Sequence, residues 1–365
     1  MGKYSLVSAD SHVVEPEDTW RKYIAPAFKE RAPRLRRDEN GQDWFYCEGV
    51  RLLSPANMSR AGKPTTGWGK TKDDVYPGAY DPRARLAEMA VDGVDAEVVY
   101  PSVAMRIYSV PDIELRRACF AAYYSWAADF CAQVPDRLKA IGVVDIADVD
   151  SAIAETKRIR KLGLAGVMVA LSAGEGLASA YATQSLDPLW ATIQDLDLPA
   201  SLHIVAGPRP IPVLTHINET FLSREVEETL AIMVYGGLFY RFPRLKVVSA
   251  ENDGGWIMHL IDRMDYLFTK ESRRLVHDYP IKDQATLPSD YFRRNVALTF
   301  IFDKGAVEAR KWLGADNIMW SSDYPHDAST WPHSRDVLDR LFQGVSPGDR
   351  KKMVASNAER LYGFA

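Results

Sequence analysis

The sequence predicts an α/β protein folded as a (β/α)8 TIM barrel with an insert after strand one, in a single domain covering residues 1–365. Eight short runs are apolar on both faces, which is typical of strands in a parallel sheet covered by helices. Eight helical patterns alternate with these runs along the chain. The length of 365 residues also fits, since such barrels span roughly 200 to more than 400 residues.

The elements follow one another in regular order. The strand candidates are residues 4–9, 96–101, 139–145, 165–170, 199–204, 245–250, 295–300 and 317–321. The helix candidates are residues 84–92, 113–134, 150–162, 186–196, 223–235, 255–268, 304–313 and 334–342. A doubly wound α/β fold is the alternative. That fold normally carries a glycine-rich turn after strand one, where this chain has Asp10, Ser11 and His12.

Residues 21–80 interrupt the alternation and form the predicted insert. Its WFYCEGVRLL segment predicts a small hairpin, and the following run, rich in glycine, proline, lysine and threonine, predicts a long loop. Loops of this length are usually functional or disordered, so we expect it to cover the barrel mouth. Lys63, Trp68 and Lys70 are therefore candidates for contacting phosphates of a large substrate, although a solvated loop explains each lysine by itself.

Composition limits the classes of partner. The net charge of −4 and the pI near 6.0 argue against nucleic acid, because nucleic-acid-binding proteins usually carry a basic face. The three cysteines are too widely spaced for a disulfide framework, and reduced thiols predict a cytoplasmic protein. Neither a signal-peptide pattern nor an apolar run long enough to span a membrane is present in the sequence.

Metal-ligand side chains stand at the ends of four predicted strands. Asp10 and His12 follow strand one, and residues two apart in a strand share a face. His203 lies near the end of strand five, Glu251 follows strand six, and Asp323 follows strand eight. A turn cap, a core histidine or an Asx turn would explain Asp10, His203 or Asp323 singly. Since barrel enzymes react at the carboxyl ends of their strands, the coincidence predicts a metal centre.

Further residues complete this predicted centre. Glu15 and His259 are candidate additional ligands, and His326 and Asp327 are candidates for orienting a ligand through hydrogen bonds. Glu251 and Asp323 are the candidate catalytic acid and base. A set this rich in carboxylates favours iron or manganese over zinc and could hold two ions.

The motifs resemble the amidohydrolase superfamily in its amidohydrolase 2 branch, which includes nonoxidative decarboxylases. The resemblance covers nearly the whole chain and is carried by the Asp10–His12 pair, His203, the Ser-Asp-Tyr-Pro motif at 322–325, the Gly-Gly-Trp motif at 254–256 and the Trp-Pro pair at 331–332. It implies Asp10, His12, His203 and Asp323 as metal ligands. Glu251 departs from the pattern, because these relatives usually carry a histidine there.

Within this branch the carboxylate-rich set resembles the barrel-fold nonheme diiron monooxygenases, typified by the diterpenoid hydroxylase of platensimycin biosynthesis. That resemblance implies two irons, O2 as co-substrate, an external electron donor, and an apolar, CoA-linked or diterpenoid-like substrate. The alternative is a mononuclear zinc or manganese enzyme, either a hydrolase or a nonoxidative decarboxylase. Relatives of this kind are often homodimers, so a homodimer is a further expectation.

Overall fold

The computed structural model describes residues 3–64, 66, 69–207, 216–275 and 285–364. These residues form strands β1 (Val7–Val13), β2 (Arg34–Arg37), β3 (Asp43–Cys47), β4 (Val50–Arg51), β5 (Ala96–Pro101), β6 (Leu138–Val143), β7 (Gly166–Val169), β8 (Ala200–His203), β9 (Val247–Ala250), β10 (Val296–Phe300) and β11 (Ile318–Trp320). Eight of the strands form one sheet in the order β1-β5-β6-β7-β8-β9-β10-β11, and every pairing in it is parallel.

The sheet closes on itself where the segment after β11 meets β1. The amide of Asp323 donates to the carbonyl of Asp10 at 3.0 Å, and the amide of His12 donates to the carbonyl of Tyr324 at 2.7 Å. The buried Arg85 guanidinium donates to the carbonyls of His12 and Tyr324 across the same seam. Strand order therefore follows chain order without the reversal of a doubly wound sheet, and the predicted (β/α)8 barrel is confirmed.

Helices cover the outside of the barrel. They are α1 (Asp18–Tyr23), α2 (Pro82–Asp92), α3 (Val103–Arg106), α4 (Ile113–Ala132), α5 (Val149–Lys161), α6 (Asp187–Asp195), α7 (His216–Thr220), α8 (Arg224–Tyr235), α9 (Leu238–Arg241), α10 (Ile257–Leu275), α11 (Pro288–Asn295), α12 (Lys304–Leu313), α13 (Ser334–Leu341), α14 (Pro347–Lys351) and α15 (Asn357–Tyr362). Each predicted helix overlaps one of them, and the others are mostly too short to show a helical period. None of the described helices is long and apolar enough to cross a membrane.

The first strand differs most from its prediction. It begins at Val7 and continues to Val13, so Asp10 and His12 lie within the strand. The pattern of apolar runs did not predict residues 10–13 as strand, because four of the seven residues of β1 are polar although all seven are buried. The register against β5 shifts between Ser8 and Ser11, and such bulges often re-aim side chains next to active sites.

The insert forms a small antiparallel sheet of β2, β3 and β4, with the predicted hairpin segment supplying β3 and β4. Its buried face comes from alternate residues of β3, including Phe45 and Cys47. Further along, the amides of Arg60 and Ala61 both donate to the carbonyl of Pro325, at 2.7 and 3.0 Å. The insert is thus attached directly to the loop that follows β11.

Candidate metal centre

Four strand ends bring ligand side chains to one place at the barrel mouth. Asp10 and His12 come from β1, and His203 is the last residue of β8. Glu251 follows β9 directly, and Asp323 lies in the loop after β11. The His12 Nε2 atom lies 3.3 Å from Glu251 Oε2 and 3.6 Å from Asp10 Oδ1 and Asp323 Oδ1. The His203 Nε2 atom lies 3.2 Å from Glu251 Oε2 and 3.6 Å from Asp10 Oδ1.

The atoms that face one another are buried and lack hydrogen-bond partners. They include Asp10 Oδ1, His12 Nε2, His203 Nε2 and Asp323 Oδ2. Leaving buried polar atoms unsatisfied costs free energy, so such a cluster needs a shared partner. Ligand atoms of Asp10, His12 and His203 lie within 4.8 Å of one another, as do those of His12, Glu251, Asp323 and His326. Imidazole and carboxylate donors at this spacing fit a divalent cation.

The barrel fixes which nitrogen of each histidine faces the cluster. The Nδ1 atom of His12 lies 3.3 Å from the carbonyl of Pro101, and that of His203 lies 3.0 Å from the carbonyl of Ile204. A carbonyl oxygen only accepts, so each Nδ1 carries the proton in the neutral ring. Each Nε2 therefore presents its lone pair to the centre, as in many histidine metal sites.

Thr299 of β10 links the two acidic strand ends. Its hydroxyl donates to Asp10 Oδ2 at 3.2 Å and accepts from the Glu251 amide at 2.9 Å. Glu251 and Asp323 both have left-handed backbone conformations, with φ of 55° and 53°. A non-glycine residue in this region costs about 1–2 kcal/mol, so the surrounding contacts must hold both turns in place.

Burial and neighbouring charges shift the pKa values of the clustered side chains. Burial, with a smaller effect of His326 and His203, holds the pKa of His12 well below its ordinary value. Burial and the neighbouring Asp323 raise the pKa of Glu251 to about 8. Although burial by itself lowers the pKa of His203, Asp10 raises it to about 9. Without a cation, therefore, protons occupy positions that a cation would take when it binds.

Two of the predicted ligands lie outside the cluster. Glu15 stands beyond the end of β1, where its carboxylate accepts from the amides of Ser102, Val103 and Ala104 at 3.2, 2.8 and 2.9 Å. It therefore caps the start of α3. His259 is exposed on α10. The prediction failed for both residues because proximity along the chain does not determine the direction of a side chain.

His326 and Asp327 were both predicted to orient a ligand, but only the His326 side chain reaches the cluster. The His326 ring stacks on His12 with centroids 4.0 Å apart, and its Nδ1 atom lies 2.9 Å from Asp323 Oδ1. Its Nε2 atom is buried without a partner, so His326 is itself a candidate ligand as well as an orienting residue. Asp327 is exposed and does not reach the cluster.

The ammonium groups of the two predicted substrate-binding lysines donate hydrogen bonds within the insert. The ammonium group of Lys63 donates to the carbonyls of Ser59 and Asp74 at 2.8 and 2.6 Å, and that of Lys70 donates to the carbonyl of Asn40 at 3.2 Å. These contacts give a phosphate-binding role no geometric support. Trp68 lies outside the described residues.

The chain matches the family model described as Amidohydrolase over residues 18–364. It is 26% identical over 304 residues to a gamma-resorcylate decarboxylase from Rhizobium sp. (strain MTP-10005), covering 76% of this chain and 86% of that relative. An amidohydrolase structure from Mycobacterium avium subsp. paratuberculosis K-10 superposes with a TM-score of 0.77 at 21% identity, covering 100% of this chain and 99% of the other.

A dihydroxybenzoic acid decarboxylase from Polaromonas sp. JS666, solved with manganese and the inhibitor 2-nitroresorcinol, has a TM-score of 0.64 at 19% identity. The match covers 99% of this chain and 97% of that one.

These relatives correct the predicted activity. The Rhizobium and Polaromonas relatives are decarboxylases, so the diiron monooxygenase interpretation is wrong. The expectations of O2, an external electron donor and a CoA-linked substrate depended on that interpretation and are no longer supported. The branch predicted from the motifs is correct, and the chain belongs to the amidohydrolase family.

Proposed function

We propose that this protein is a metal-dependent nonoxidative decarboxylase of an aromatic carboxylic acid. The observation that carries the proposal is the group of buried, unpartnered ligand atoms that converge beside Glu251 at the barrel mouth. The sequence similarity to gamma-resorcylate decarboxylase supports this reaction in particular. Loss of CO2 from an aromatic acid is redox-neutral, so it requires neither oxygen nor an electron donor.

Asp10, His12, His203 and Asp323 would hold one divalent cation, with manganese the first choice because a structural neighbour was solved with it. Their unpartnered atoms fit the preference of such ions for imidazole and carboxylate donors. When bound, the cation would supply a Lewis acid that holds and polarises substrate oxygens. His326 supports the site by orienting Asp323 and by stacking on His12.

Glu251 is the residue best placed to move a proton. Its side chain is 20% exposed, whereas those of Asp10, His12 and His203 are at most 1% exposed. It therefore borders both the ligand cluster and the open mouth. When the bond between the ring and the carboxyl carbon breaks, its electron pair stays on the ring carbon and CO2 leaves. The Glu251 carboxyl would then protonate that carbon.

The first test combines metal content with anaerobic turnover. We expect about one manganese or zinc ion per chain and CO2 release from 2,6-dihydroxybenzoate or a related hydroxybenzoate under strict anaerobiosis. Chelation should abolish CO2 release and added Mn2+ should restore it. If no hydroxybenzoate and no benzenedicarboxylic acid released CO2, or if turnover consumed oxygen, the proposal would be wrong.

A second test addresses Glu251 directly. Glu251→Gln should lower kcat by at least about 100-fold while keeping the bound metal, because general acid catalysis typically contributes that much. Glu155→Gln is a matched control, since Glu155 of α5 is a partly buried carboxyl whose pKa burial also raises. The control should keep full activity. Full activity in Glu251→Gln would exclude Glu251 as the proton donor.

A further inference from the structure

Helix α3 and the residue before it carry two polar side chains that the site described above does not use. The helix begins two residues after Pro101, whose carbonyl lies against His12 Nδ1, and the Glu15 carboxylate binds its first amides. It is therefore attached to the metal-bearing strand at the mouth of the barrel. Ser102 is the residue immediately before the helix, and Arg106 is the last residue of the helix.

Both side chains have a buried atom without a partner. These atoms are Ser102 Oγ and Arg106 Nη1. The two residues lie four positions apart, and both have right-handed helical backbone angles. Residues with this spacing share one side of a helical turn. The Ser102 hydroxyl and one guanidinium nitrogen of Arg106, both without a partner, thus lie on the same side of this turn.

Arg106 differs from Arg85 and Arg116, whose guanidinium groups are also largely removed from solvent. Arg85 is paired with Glu97 at 2.5 Å, and Arg116 with Asp145 at 2.6 Å. Within the described part of the chain, no carboxylate pairs with Arg106. Burial lowers the pKa of its guanidinium, yet arginine stays charged at neutral pH. A half-buried charge without a partner is costly, so Arg106 is a candidate for binding an anion that arrives from outside.

The charge of the metal site gives a reason for such a cation. The carboxylates of Asp10 and Asp323 together cancel the charge of one divalent ion, which leaves little net attraction for an anionic substrate. Strong binding of the leaving carboxylate by an arginine would also oppose the reaction, because the negative charge leaves that group in the transition state. An arginine at the barrel mouth would therefore assist binding without opposing the reaction if it bound an anionic group that stays on the ring.

We propose that Arg106 and Ser102 bind a second carboxylate of the substrate, one that is retained in the product, so that the substrate is an aromatic dicarboxylic acid. The guanidinium would supply paired N–H donors and the hydroxyl a third. The dicarboxylate class rests on the proposed function, whereas the anion site itself is testable by binding alone.

The test compares probes that differ in one charge. Phthalate, isophthalate and terephthalate are each paired with the corresponding monoamide, and binding to the manganese-loaded protein is measured by titration calorimetry and by the shift in melting temperature. We expect at least one dicarboxylate to bind about tenfold or more tighter than its amide, as for hydrogen bonds to a charged group. Equal binding of the members of all three pairs, including no binding by any probe, would overturn the proposal.

Variants of Arg106 and Ser102 test whether these residues cause the preference for a dicarboxylate over its monoamide. Arg106→Gln should reduce the ratio of the two affinities to about one, Arg106→Lys should keep part of it, and Ser102→Ala should lower it less than Arg106→Gln. Arg158→Gln is the control, because Arg158 is also partly buried but donates to Ala121 and Ser125 on the outer helices. An unchanged ratio in Arg106→Gln would disprove the assignment.

The outcomes separate the two proposals. If the ratio depends on Arg106 but no acid is decarboxylated, the anion site stands and the proposed function fails. If CO2 is released and the affinity ratio is the same in Arg106→Gln as in the unaltered protein, the function stands and the anion site fails.

Discussion

At the residue scale, three of the ligand atoms belong to side chains whose other polar atom is held by the barrel. The Nδ1 atoms of His12 and His203 are hydrogen-bonded to backbone carbonyls, and Asp10 Oδ2 accepts from the Thr299 hydroxyl. These outer contacts restrict rotation of the side chains and so prepare the inner atoms for a cation. The selectivity of the site therefore depends on residues that never touch the metal.

Thr299→Val tests this dependence. The substitution keeps the shape of the side chain but removes the hydroxyl that joins Asp10 to the Glu251 amide. We expect the dissociation constant for Mn2+ to rise by about 10–100-fold, the usual effect of losing an outer contact. Thr156→Val is the control, because the buried Thr156 hydroxyl bonds only to Ala152 of its own helix. Equal metal affinity in both variants, measured by competition with a chelating dye, would refute this role.

The metal-free protein should lose stability as the pH rises from about 7 to about 9. The pKa values of His203 and His326 are raised to about 9, and that of Glu251 to about 8. A raised pKa means that the folded state binds more protons than the unfolded state, so its contribution is present at low pH and lost as the pH passes the folded value. The lowered pKa of His12 has its effect below about pH 6.5 and leaves this window unchanged.

Melting temperatures of chelator-treated protein across this range would measure the effect. A cation replaces the protons, so the stabilisation by saturating Mn2+ should grow over the same interval. A melting temperature of the metal-free protein that stayed constant or increased from pH 7 to pH 9 would contradict the assigned charges.

At the scale of elements, the loops after the strands position the site. The loop after β9 carries Glu251 and Asp253, both with positive φ, and is held by Asp303 at the start of α12. The Asp303 carboxylate accepts from the amides of Gly254 and Gly255 at 2.9 and 2.7 Å. An added Cβ at Gly254 would lie 2.8 Å from a terminal methyl of Leu298 and 3.0 Å from the Cβ of Ala306, so a larger residue would shift this packing.

Asp303→Ala should destabilise the fold by about 1–3 kcal/mol, because it removes a helix cap and leaves backbone amides without their acceptor. We also expect weaker metal binding, since the loop carrying Glu251 loses its anchor. Asp148→Ala is the comparison, because Asp148 caps only α5 through the Ser151 amide. Chemical denaturation and metal titration would separate the effects: the comparison variant should lose stability without losing metal affinity, and the same pattern in Asp303→Ala would contradict the loop's role.

At the scale of the whole molecule, the barrel closes through the same segments that carry the ligands. The Asp323 amide donates to the Asp10 carbonyl at the seam, and Arg85 donates to carbonyls on both sides of it. The guanidinium is fully buried and pairs with Glu97, which also accepts from Ser11. The contacts that close the fold therefore also hold the ligand-bearing segments together.

Arg85→Leu should cost about 3–5 kcal/mol in the free energy of unfolding, because it leaves the Glu97 carboxylate buried without its cation. The double variant Arg85→Leu with Glu97→Leu should cost less than the single variant, since no unpaired charge remains. Urea denaturation of the three proteins would measure the difference. A double variant less stable than the single one would mean that the seam depends on other contacts of Glu97.

The sequence alone was sufficient for the barrel, for its amidohydrolase branch and for the nomination of Asp10, His12, His203, Glu251 and Asp323 as a group. Apolar runs and helical periods are local patterns, and in a parallel barrel the ends of the strands necessarily meet. The same reasoning chose the wrong reaction, because a carboxylate-rich set of residues is compatible with several metal chemistries.

Only the tertiary structure decided which side chains reach the centre. It directs Glu15 to the amides of α3, leaves His259 in solvent, and brings His326 onto His12. It also shows the linking role of Thr299 and the unpaired guanidinium of Arg106, neither of which has a sequence signature. The physical reason is that the direction of a side chain depends on backbone angles and on partners distant in sequence, and only the closed barrel sets both.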